Sequence, residues 1–276
     1  LSRDKIVSLL HHAGLWGVIR EFPFNNIPSL DTIPPSIYIT VDFDEPFMPD
    51  SSVYLKDKID EFKLGVSVLK KLCEGTINIG VSEDNDSVAS QLGDLITHRL
   101  SGDYPANSGG VYLYYNKTSS DENKAWNLKG QDVIRLGQLF LTRQYPVERI
   151  IVLAGSSMEN PRHLLTREGA GIGEIVGQTK VKSPIRYVVG GVLTGRKVTS
   201  EGAIGYNDYA IHALPEGKPI EPFAFFKPGF KKHTFSNTYI GKLFSKMKWE
   251  MSTAVNGGER ACISCGICPQ VCPTDV

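Results

Sequence analysis

Four cysteines near the carboxyl end of the sequence have the type and spacing needed to hold an iron–sulfur cluster. Cys262, Cys265, Cys268 and Cys272 follow the pattern C-x2-C-x2-C-x3-C-P. This run is typical of proteins that bind a [4Fe–4S] cube, because a compact turn brings three thiolates onto three iron corners. Structural zinc prefers two C-x2-C pairs with a longer insert, and disulfides would join near neighbours in a chain that otherwise looks intracellular. We therefore predict that these four thiolates ligate a [4Fe–4S] cluster.

The fourth cysteine of the run leaves two arrangements open. In two-cluster ferredoxins the last cysteine ligates the other cluster, so Cys272 would need a second set of cysteines. The fifth cysteine, Cys73, lies on the apolar side of a helix-like run and is predicted to pack as a small hydrophobe. Either the chain, which begins on Leu1, is a fragment whose continuation carries the partner cysteines, or Cys272 completes a single cluster.

Charge and hydropathy limit the classes of partner. The 276 residues include 30 basic and 30 acidic side chains and are 41% hydrophobic, which predicts about two globular domains. Because the charges cancel, we expect neither nucleic acid nor an anionic membrane surface as a direct ligand. No apolar run approaches the roughly 18 to 20 residues of a membrane span, and the amino terminus has no signal-peptide pattern. We expect a soluble chain in the reducing cytoplasm.

Other candidate motifs have simpler explanations. His11 and His12 are adjacent and cannot share one face of a helix, so we predict surface residues rather than metal ligands. The acidic residues at 42–45 follow a strand and are predicted to form a solvated turn, with a metal or sugar site as the less favoured alternative. The glycines at 169–177 lie beyond the first βαβ unit, which favours turns over a dinucleotide site. No catalytic residue is predicted, because the sequence has no G-x-S-x-G, H-E-x-x-H or P-loop motif.

The order of the predicted elements indicates an α/β fold. Strands at 36–41 and 77–81 alternate with helices at 52–74 and 87–100, and this order favours a parallel sheet covered by helices. Further predicted elements are a helix from Ser2 onward, a strand at 111–115, a helix at 131–141 and a strand at 149–154. We place the end of this Rossmann-like domain, residues 1–154, at that last strand.

The rest of the chain is predicted to form two further parts. Residues 155–215 alternate short strands with glycine turns and carry one short helical signal at 172–176, which indicates a small α+β module. Residues 216–276 form a connecting segment and the ferredoxin-like cysteine motif, which we expect to continue beyond this chain. The aromatic and basic stretch at 223–232 is either an exposed contact surface or a strand laid across the core.

Several stretches of the sequence resemble one protein family. They are GLWGVIREFPF at 14–24, IPSLDTIP at 27–34, LAG at 153–155 with NPR at 160–162, and STAVNGGERA at 252–261. These stretches resemble the A subunit of the Na⁺-translocating NADH:quinone oxidoreductase, and the likeness runs through essentially the whole chain. It corresponds to the middle of that subunit, without the amino-terminal lipoyl-like segment and the carboxyl-terminal part. The resemblance implies a Rossmann-like domain followed by a β-grasp module of the soluble-ligand-binding type.

The resemblance also implies a location, partners and a role. Such a subunit would be peripheral on the cytoplasmic face of the bacterial inner membrane, in contact with the membrane-embedded and flavin-bearing subunits of the same complex. Quinone is a further candidate partner through the aromatic stretch at 223–230. Many members of the family have lost the cysteines, whereas this chain retains them in the manner of the Rnf complex C subunit. We therefore expect electron transfer through a [4Fe–4S] cluster.

Flavin is not expected in this chain. The related flavin subunits of the Rnf complex and of respiratory complex I carry a G-x-G-G-A-G-F-P loop that seats FMN. Residues 14–23 keep the ends of that loop, but Val18, Ile19, Arg20 and Glu21 fill its centre. Bulky side chains followed by a carboxylate oppose a backbone cradle for phosphate. The turn at 104–107 likewise resembles the relatives but lacks the acidic residues that follow it there.

Two alternatives remain beside the electron-transfer hypothesis. The chain could be a docking and assembly subunit of the same complex, with a structural cluster or an empty site. It could also be an NADH dehydrogenase subunit of the Rnf C type. In each case the isolated chain is not expected to be catalytic by itself.

Overall fold

Two five-stranded β-sheets with their covering helices form the part of the chain that can be described. The structure is a computed structural model, and it describes residues 1–102, 104–177 and 185–216. The four predicted iron ligands and the aromatic stretch at 223–232 lie outside these ranges. Within them, no helix combines the length and the apolar composition that crossing a bilayer requires.

The first sheet is parallel except at one edge. Its strands are β1 (Arg20–Glu21), β2 (Ser36–Thr40), β3 (Thr76–Ser82), β4 (His98–Leu100) and β5 (Trp126–Lys129). They are ordered β1-β5-β2-β3-β4, with β1 antiparallel to β5 and the other neighbours parallel. Every residue of the central strand β2 is buried, as expected for a strand covered on both faces. The predicted Rossmann-like α/β fold is confirmed.

The helices of this sheet include one pair that packs at unusually close range. They are α1 (Arg3–His12), α2 (Ser51–Tyr54), α3 (Ile59–Lys70), α4 (Asp86–Leu92), α5 (Gly109–Asn116) and α6 (Gly130–Thr142). Helices α3 and α6 meet at Gly65 and Gly137, where an added Cβ would collide with a backbone carbonyl of the opposite helix. Because these two residues have no side chain, the two helix backbones can approach each other closely.

Two predicted helices are shorter than expected. The helix predicted at 52–74 is broken between α2 and α3, where Asp57 takes a left-handed conformation with φ 58°. The helix predicted at 87–100 ends at Leu92, because Gly93 (φ 51°) terminates it. A 3-10 turn at Gly93–Leu95 follows, and His98–Leu100 form β4, which pairs with β3. The spacing of apolar residues continues through both breaks, so it does not predict either of them.

The strand predicted at 111–115 was wrong, since these residues lie in helix α5. Gly109, Tyr112 and Leu113 are buried, whereas Tyr114 and Tyr115 are exposed. These three buried residues follow the i, i+3, i+4 spacing of a helix. Because the first of them is a glycine, the spacing of apolar side chains does not show this pattern. The Tyr112 ring packs edge-on against Tyr38 of β2, with 4.9 Å between the ring centroids.

The second sheet is mixed and carries one short helix. Its strands are β6 (Glu148–Ala154), β7 (Arg162–Arg167), β8 (Ile185–Val189), β9 (Arg196–Val198) and β10 (Ala210–Pro215), and its helix is α7 (Ile172–Val176). The order is β7-β6-β10-β8-β9, with β6 parallel to β10 and the other pairs antiparallel. The predicted α+β character and the helix at 172–176 are confirmed.

Strand β6 belongs to the second sheet. It was predicted to close the Rossmann-like part, but it pairs with β7 and β10. Its run of buried residues predicts a strand without indicating which sheet that strand joins. Leu1–Glu216 accordingly form one compact unit that contains both sheets.

Cys73 is a packing residue, as predicted. It is half-buried against the main core of the first sheet, and its Sγ donates to the Pro34 carbonyl at 3.4 Å. Burial raises the pKa of this thiol. The thiol therefore stays protonated at neutral pH, unlike a cysteine that ligates iron.

The substitution Gly137→Ala tests the close packing of α3 and α6. The added methyl group would overlap the Glu61 carbonyl, and overpacking of this kind costs about 1 to 3 kcal/mol. We expect urea denaturation at pH 7 to show a free energy of unfolding lower by about 2 kcal/mol. Gly110→Ala in α5 is the control, because a Cβ there meets its nearest neighbour at 3.8 Å. That variant should keep or gain stability, and equal behaviour of the two variants would contradict the explanation.

Candidate functional site

The predicted cluster ligands Cys262, Cys265, Cys268 and Cys272 lie outside the described residues. Within the described ranges, no three His, Cys, Asp or Glu side chains converge closely enough to hold a metal ion. The candidate site in this part of the chain is a crevice in the first sheet.

This crevice lies where the strand order of the first sheet reverses. From β2 the chain continues to β3 and β4 on one side and later returns to β5 on the other side. Open α/β sheets bind ligands outside the carboxyl ends of their strands at such a point. Two adjoining cavities of about 430 and 660 Å³ occupy the crevice. The residues that line both are Asn25, Asp44, Glu45, Asn127, Lys129 and Thr194.

Asp42 joins the carboxyl ends of β2 and β3 at the edge of the crevice. Its carboxylate accepts hydrogen bonds from the Ser82 amide (2.7 Å), the Asn85 side-chain amide (2.8 Å) and the Ser51 hydroxyl (2.5 Å). The solvated turn predicted at 42–45 was therefore wrong. Asp42 is half-buried and holds three chain segments together, because a buried carboxylate needs several donors.

Asn127 and Lys129 place polar groups on the floor of the crevice. The Lys129 ammonium lies 3.7 Å from the Asp44 carboxylate and 5.6 Å from the centroid of the Phe43 ring. The Asn127 side-chain oxygen is buried and has no hydrogen-bond partner in the described part of the chain. It lies against Gly109, where a Cβ would overlap it. This arrangement can hold a polar ligand through charge and hydrogen bonds.

Glu45 connects the crevice to the second sheet. Its carboxylate accepts hydrogen bonds from the Leu193 amide (2.7 Å) and from the Thr194 hydroxyl, in the turn between β8 and β9. Gly191 permits this approach, because a Cβ at that position would overlap the carboxylate. One wall of the crevice therefore comes from each sheet.

A buried charge network fixes the second sheet against α6. Arg135 of α6 and Arg149 of β6 both donate to the same carboxylate oxygen of Glu168, which follows β7. The other oxygen of Glu168 accepts from the Tyr145 hydroxyl at 2.7 Å. Each arginine is only 2% exposed, so the shared carboxylate compensates charges that water cannot reach.

Asp132 extends this network to the crevice. Its carboxylate accepts a hydrogen bond from the Tyr209 hydroxyl at 2.5 Å and lies 3.4 Å from the Arg135 guanidinium. Asp132 and Tyr209 both line the smaller cavity. Burial raises the pKa of the Asp132 carboxyl, while Arg135 and the Tyr209 hydrogen bond oppose that shift. Burial also raises the pKa of Tyr209 well above 10, so this phenol remains a donor near neutral pH.

Half of the residues at 14–23 are buried, among them Trp16, Val18 and Ile19. The side chains of Trp16, Val18 and Ile19 are at most 4% exposed. The amides of Val18 and Ile19 donate to the backbone carbonyls of Leu15 and Trp16. A phosphate cradle needs several free, convergent amides, and these two are already engaged.

The sequence prediction missed the crevice and the charge network. One signal was available, because Asp132 and Arg135 are opposite charges at i, i+3 within the apolar run of α6. Glu168 gave no signal, since it lies in a turn that only the folded chain brings to α6. Asn127 and Lys129 occupy one face of a short strand and resemble ordinary surface residues in the sequence.

Comparison with known proteins places the chain in a family. Residues 1–145, more than half of the chain, match the family model described as the NqrA second alpha/beta domain. The chain belongs to the NqrA family. Residues 150–200 match a second model of the same family, described as the NQRA C-terminal domain. The family resemblance deduced from the sequence is confirmed.

Curated relatives match along the entire chain. Each is named as the A subunit of the Na(+)-translocating NADH-quinone reductase. The chain is 33% identical to the protein from Actinobacillus pleuropneumoniae serotype 5b (strain L20), 30% to that from Neisseria meningitidis serogroup B and 29% to that from Marinomonas sp. (strain MWYL1). In each case the match covers 100% of this chain and 62% of the relative. The chain thus spans under two thirds of the length of these relatives.

A solved structure shares the fold. The described fold is similar to the crystal structure of NAD⁺-reducing [NiFe]-hydrogenase in the H2-reduced state, with a TM-score of 0.56. The match covers 78% of this chain and 47% of that chain, at 11% sequence identity. At this identity the likeness shows a common fold alone.

The substitution Glu168→Ala tests the charge network. Removing one partner of a buried ion pair costs about 3 to 5 kcal/mol. Because the Glu168 side chain is 20% exposed, we expect the lower end of this range, about 3 kcal/mol, in urea denaturation followed by tryptophan fluorescence.

Glu148→Ala is the matched control for that experiment. Glu148 is an exposed carboxylate at the start of β6, so its loss should change the stability by less than about 0.5 kcal/mol. If Glu168→Ala costs no more than this control, Arg135 and Arg149 do not depend on the shared carboxylate.

Proposed function

We propose that this chain is part of a peripheral subunit of a membrane-bound, Na⁺-translocating NADH:quinone oxidoreductase. Membership of the NqrA family carries the proposal, together with the match of 100% of this chain to 62% of proteins named as the A subunit of that enzyme. It works at the cytoplasmic face of the bacterial inner membrane, beside the membrane-embedded and flavin-bearing subunits. The oxidoreductase activity belongs to the assembled complex.

The cysteine run gives this subunit an electron-transfer role. Cys262, Cys265, Cys268 and Cys272 supply four thiolates at the spacing that suits a [4Fe–4S] cluster. Such a cluster, when bound, carries single electrons between neighbouring carriers. The four thiolates would hold the iron, and a glycine at position 266 would relieve crowding where the backbone must turn around the cluster. No proton transfer by this chain is needed, because the step is outer-sphere.

The packing at residues 14–23 supports a subunit without its own flavin. Val18 and Ile19 are buried in the core, and their amides already donate within the chain. A flavin phosphate at this loop would need amides that are free to converge on it. Electrons would therefore reach the cluster from a flavin on another subunit. This point separates the proposal from an NADH dehydrogenase of the Rnf C type.

A docking and assembly role is the remaining alternative. In that case the four cysteines hold a cluster that never changes redox state, or hold none. A contact with quinone through residues 223–230 is compatible with either role. Redox measurements on the cluster separate the two roles.

Metal analysis of the full-length subunit tests the proposal. Protein purified without oxygen should contain about four iron and four acid-labile sulfide per chain. Reduction should produce the EPR signal of a reduced [4Fe–4S] cluster. Cys265→Ser should abolish the signal and lower NADH:quinone reductase activity of the assembled complex at least tenfold. Cys73→Ser is the control and should retain both, because Cys73 packs in the other part of the chain.

Each alternative gives a different result in these measurements. Absent iron and sulfide with full activity of the complex would leave a docking role. A bound cluster that cannot be reduced would have a structural role. Stoichiometric FMN on the isolated protein would favour the Rnf C type and would overturn the interpretation of residues 14–23.

A further inference from the structure

Strand β7 forms an open edge of the second sheet. It stands at the end of the strand order, and in the described part of the chain it pairs with β6 alone. Natural proteins normally protect such an edge, because its unpaired N–H and C=O groups can pair with another strand. Short length, proline and a β-bulge are among the usual protections. Strand β7 has none of these three: it has six residues without proline, and its register with β6 is continuous.

The hydrogen bonds of β6 show which backbone groups of β7 point outward. The Val152 amide donates to the Tyr209 carbonyl at 3.0 Å, on the side of β10. The Ile150 amide donates to the Gln131 side-chain oxygen at 2.7 Å, and the Ile150 carbonyl accepts from the Gln131 side-chain nitrogen at 3.0 Å. The backbone groups of Val152 and Ile150 are therefore turned away from β7.

Alternate residues of β7 direct their N–H groups away from β6. In an antiparallel pair, opposite residues alternate between exchanging two hydrogen bonds and exchanging none. His163 lies opposite Val152 and Leu165 lies opposite Ile150, so these two pairs exchange none. Arg167 continues the alternation. The N–H groups of His163, Leu165 and Arg167 therefore point outward, and they have no hydrogen-bond partner in the described ranges.

The side chains of β7 hold its inner side in place and leave its outer side open. Leu164 packs against the core of the second sheet. Leu165 is 63% exposed although it is apolar, and Arg167 is also exposed. An extended segment that brings its own N–H and C=O groups could therefore pair along this edge.

The charges of β7 determine which kind of segment fits. Arg162 and Arg167 form no ion pair within the described ranges, and the strand contains no acidic residue. Pairing with β7 of a second copy would place the arginines of both copies along one seam, and like charges opposite each other are destabilising. Acidic side chains on the added segment would instead compensate both arginines.

We propose that β7 binds an extended, acidic segment of another subunit of the oxidoreductase, which adds a strand to the second sheet. Main-chain hydrogen bonds to His163, Leu165 and Arg167 would supply the affinity, and the two arginines would select an acidic partner. The inference rests on the proposed function, because it takes the partner from the same complex. It does not depend on the iron–sulfur cluster.

Amide hydrogen exchange of the full-length subunit, free and in the purified complex, tests this proposal. In the free subunit, the outward amides of β7 should exchange quickly, because no acceptor holds them in the described ranges. In the complex, we expect these amides to exchange about tenfold more slowly, since they would donate to the added strand. A peptide covering β2 is the internal reference and should exchange slowly in both samples, because that strand is central in the first sheet.

Two substitutions at Leu165 separate the backbone contribution from that of the side chain. Leu165→Pro removes an outward N–H that the pairing with β6 does not use, and proline is tolerated at such an edge position. Leu165→Ala is the matched control, because it shortens the same side chain and retains the N–H. We expect the proline variant to bind the remaining subunits roughly tenfold more weakly, and the alanine variant to stay within about threefold of the wild type.

A charge reversal tests the same edge independently if Leu165→Pro does not fold. Arg167→Glu should weaken binding to the remaining subunits roughly fivefold, because an acidic segment would then meet a like charge. Arg143→Glu, at an exposed arginine directly after α6, is the control and should bind like the wild type.

The remaining outcomes would overturn the proposal. Rapid exchange of β7 in an active complex that contains the subunit would refute the added strand and leave the proposed function intact. Slow exchange in the free subunit would show that the edge is already covered, by the subunit itself or, if it depends on concentration, by a second copy. Equal binding of the two Leu165 variants, or unchanged binding of Arg167→Glu, would also refute it. If the active complex lacks the subunit, the proposed function fails and the inference fails with it.

Discussion

The described structure depends on one shared carboxylate. Arg135 from α6 and Arg149 from β6 both donate to Glu168, and all three groups are largely removed from water. Buried guanidinium groups are tolerated only when a compensating charge is held in place. The two sheets must therefore pack so that the Glu168 carboxylate lies between Arg135 and Arg149. Because α6 also packs on α3 through glycine, this joint fixes the second sheet relative to the helices of the first.

The crevice at the switch point is defined by two joints of different chemistry. On one side, Asp132 and Tyr209 continue the arginine network into the cavity wall. On the other side, Glu45 accepts hydrogen bonds from the turn between β8 and β9, and Met48 packs on the second sheet.

The proposed function separates the scaffold from the redox chemistry. In the Rossmann-like part, Val18 and Ile19 are buried, and their amides donate to backbone carbonyls within the chain. The second sheet supplies one wall of the crevice. The proposed electron carrier is instead bound by the four cysteines beyond residue 216.

The sequence by itself determined the element types wherever the apolar pattern was long, as in β2, β3, β6 and α6. It also determined the family, and the cysteine spacing on which the proposed cluster rests. It could not place the breaks at Asp57 and Gly93, the helical nature of α5, or the sheet to which β6 belongs. Only the tertiary structure decided the crevice, the shared carboxylate of Glu168 and the contacts of Glu45 and Met48 with the second sheet. The reason is physical: helix and strand patterns arise between residues a few positions apart, whereas these features join side chains that are far apart in the chain, and their energies exist only once burial has removed the water between them.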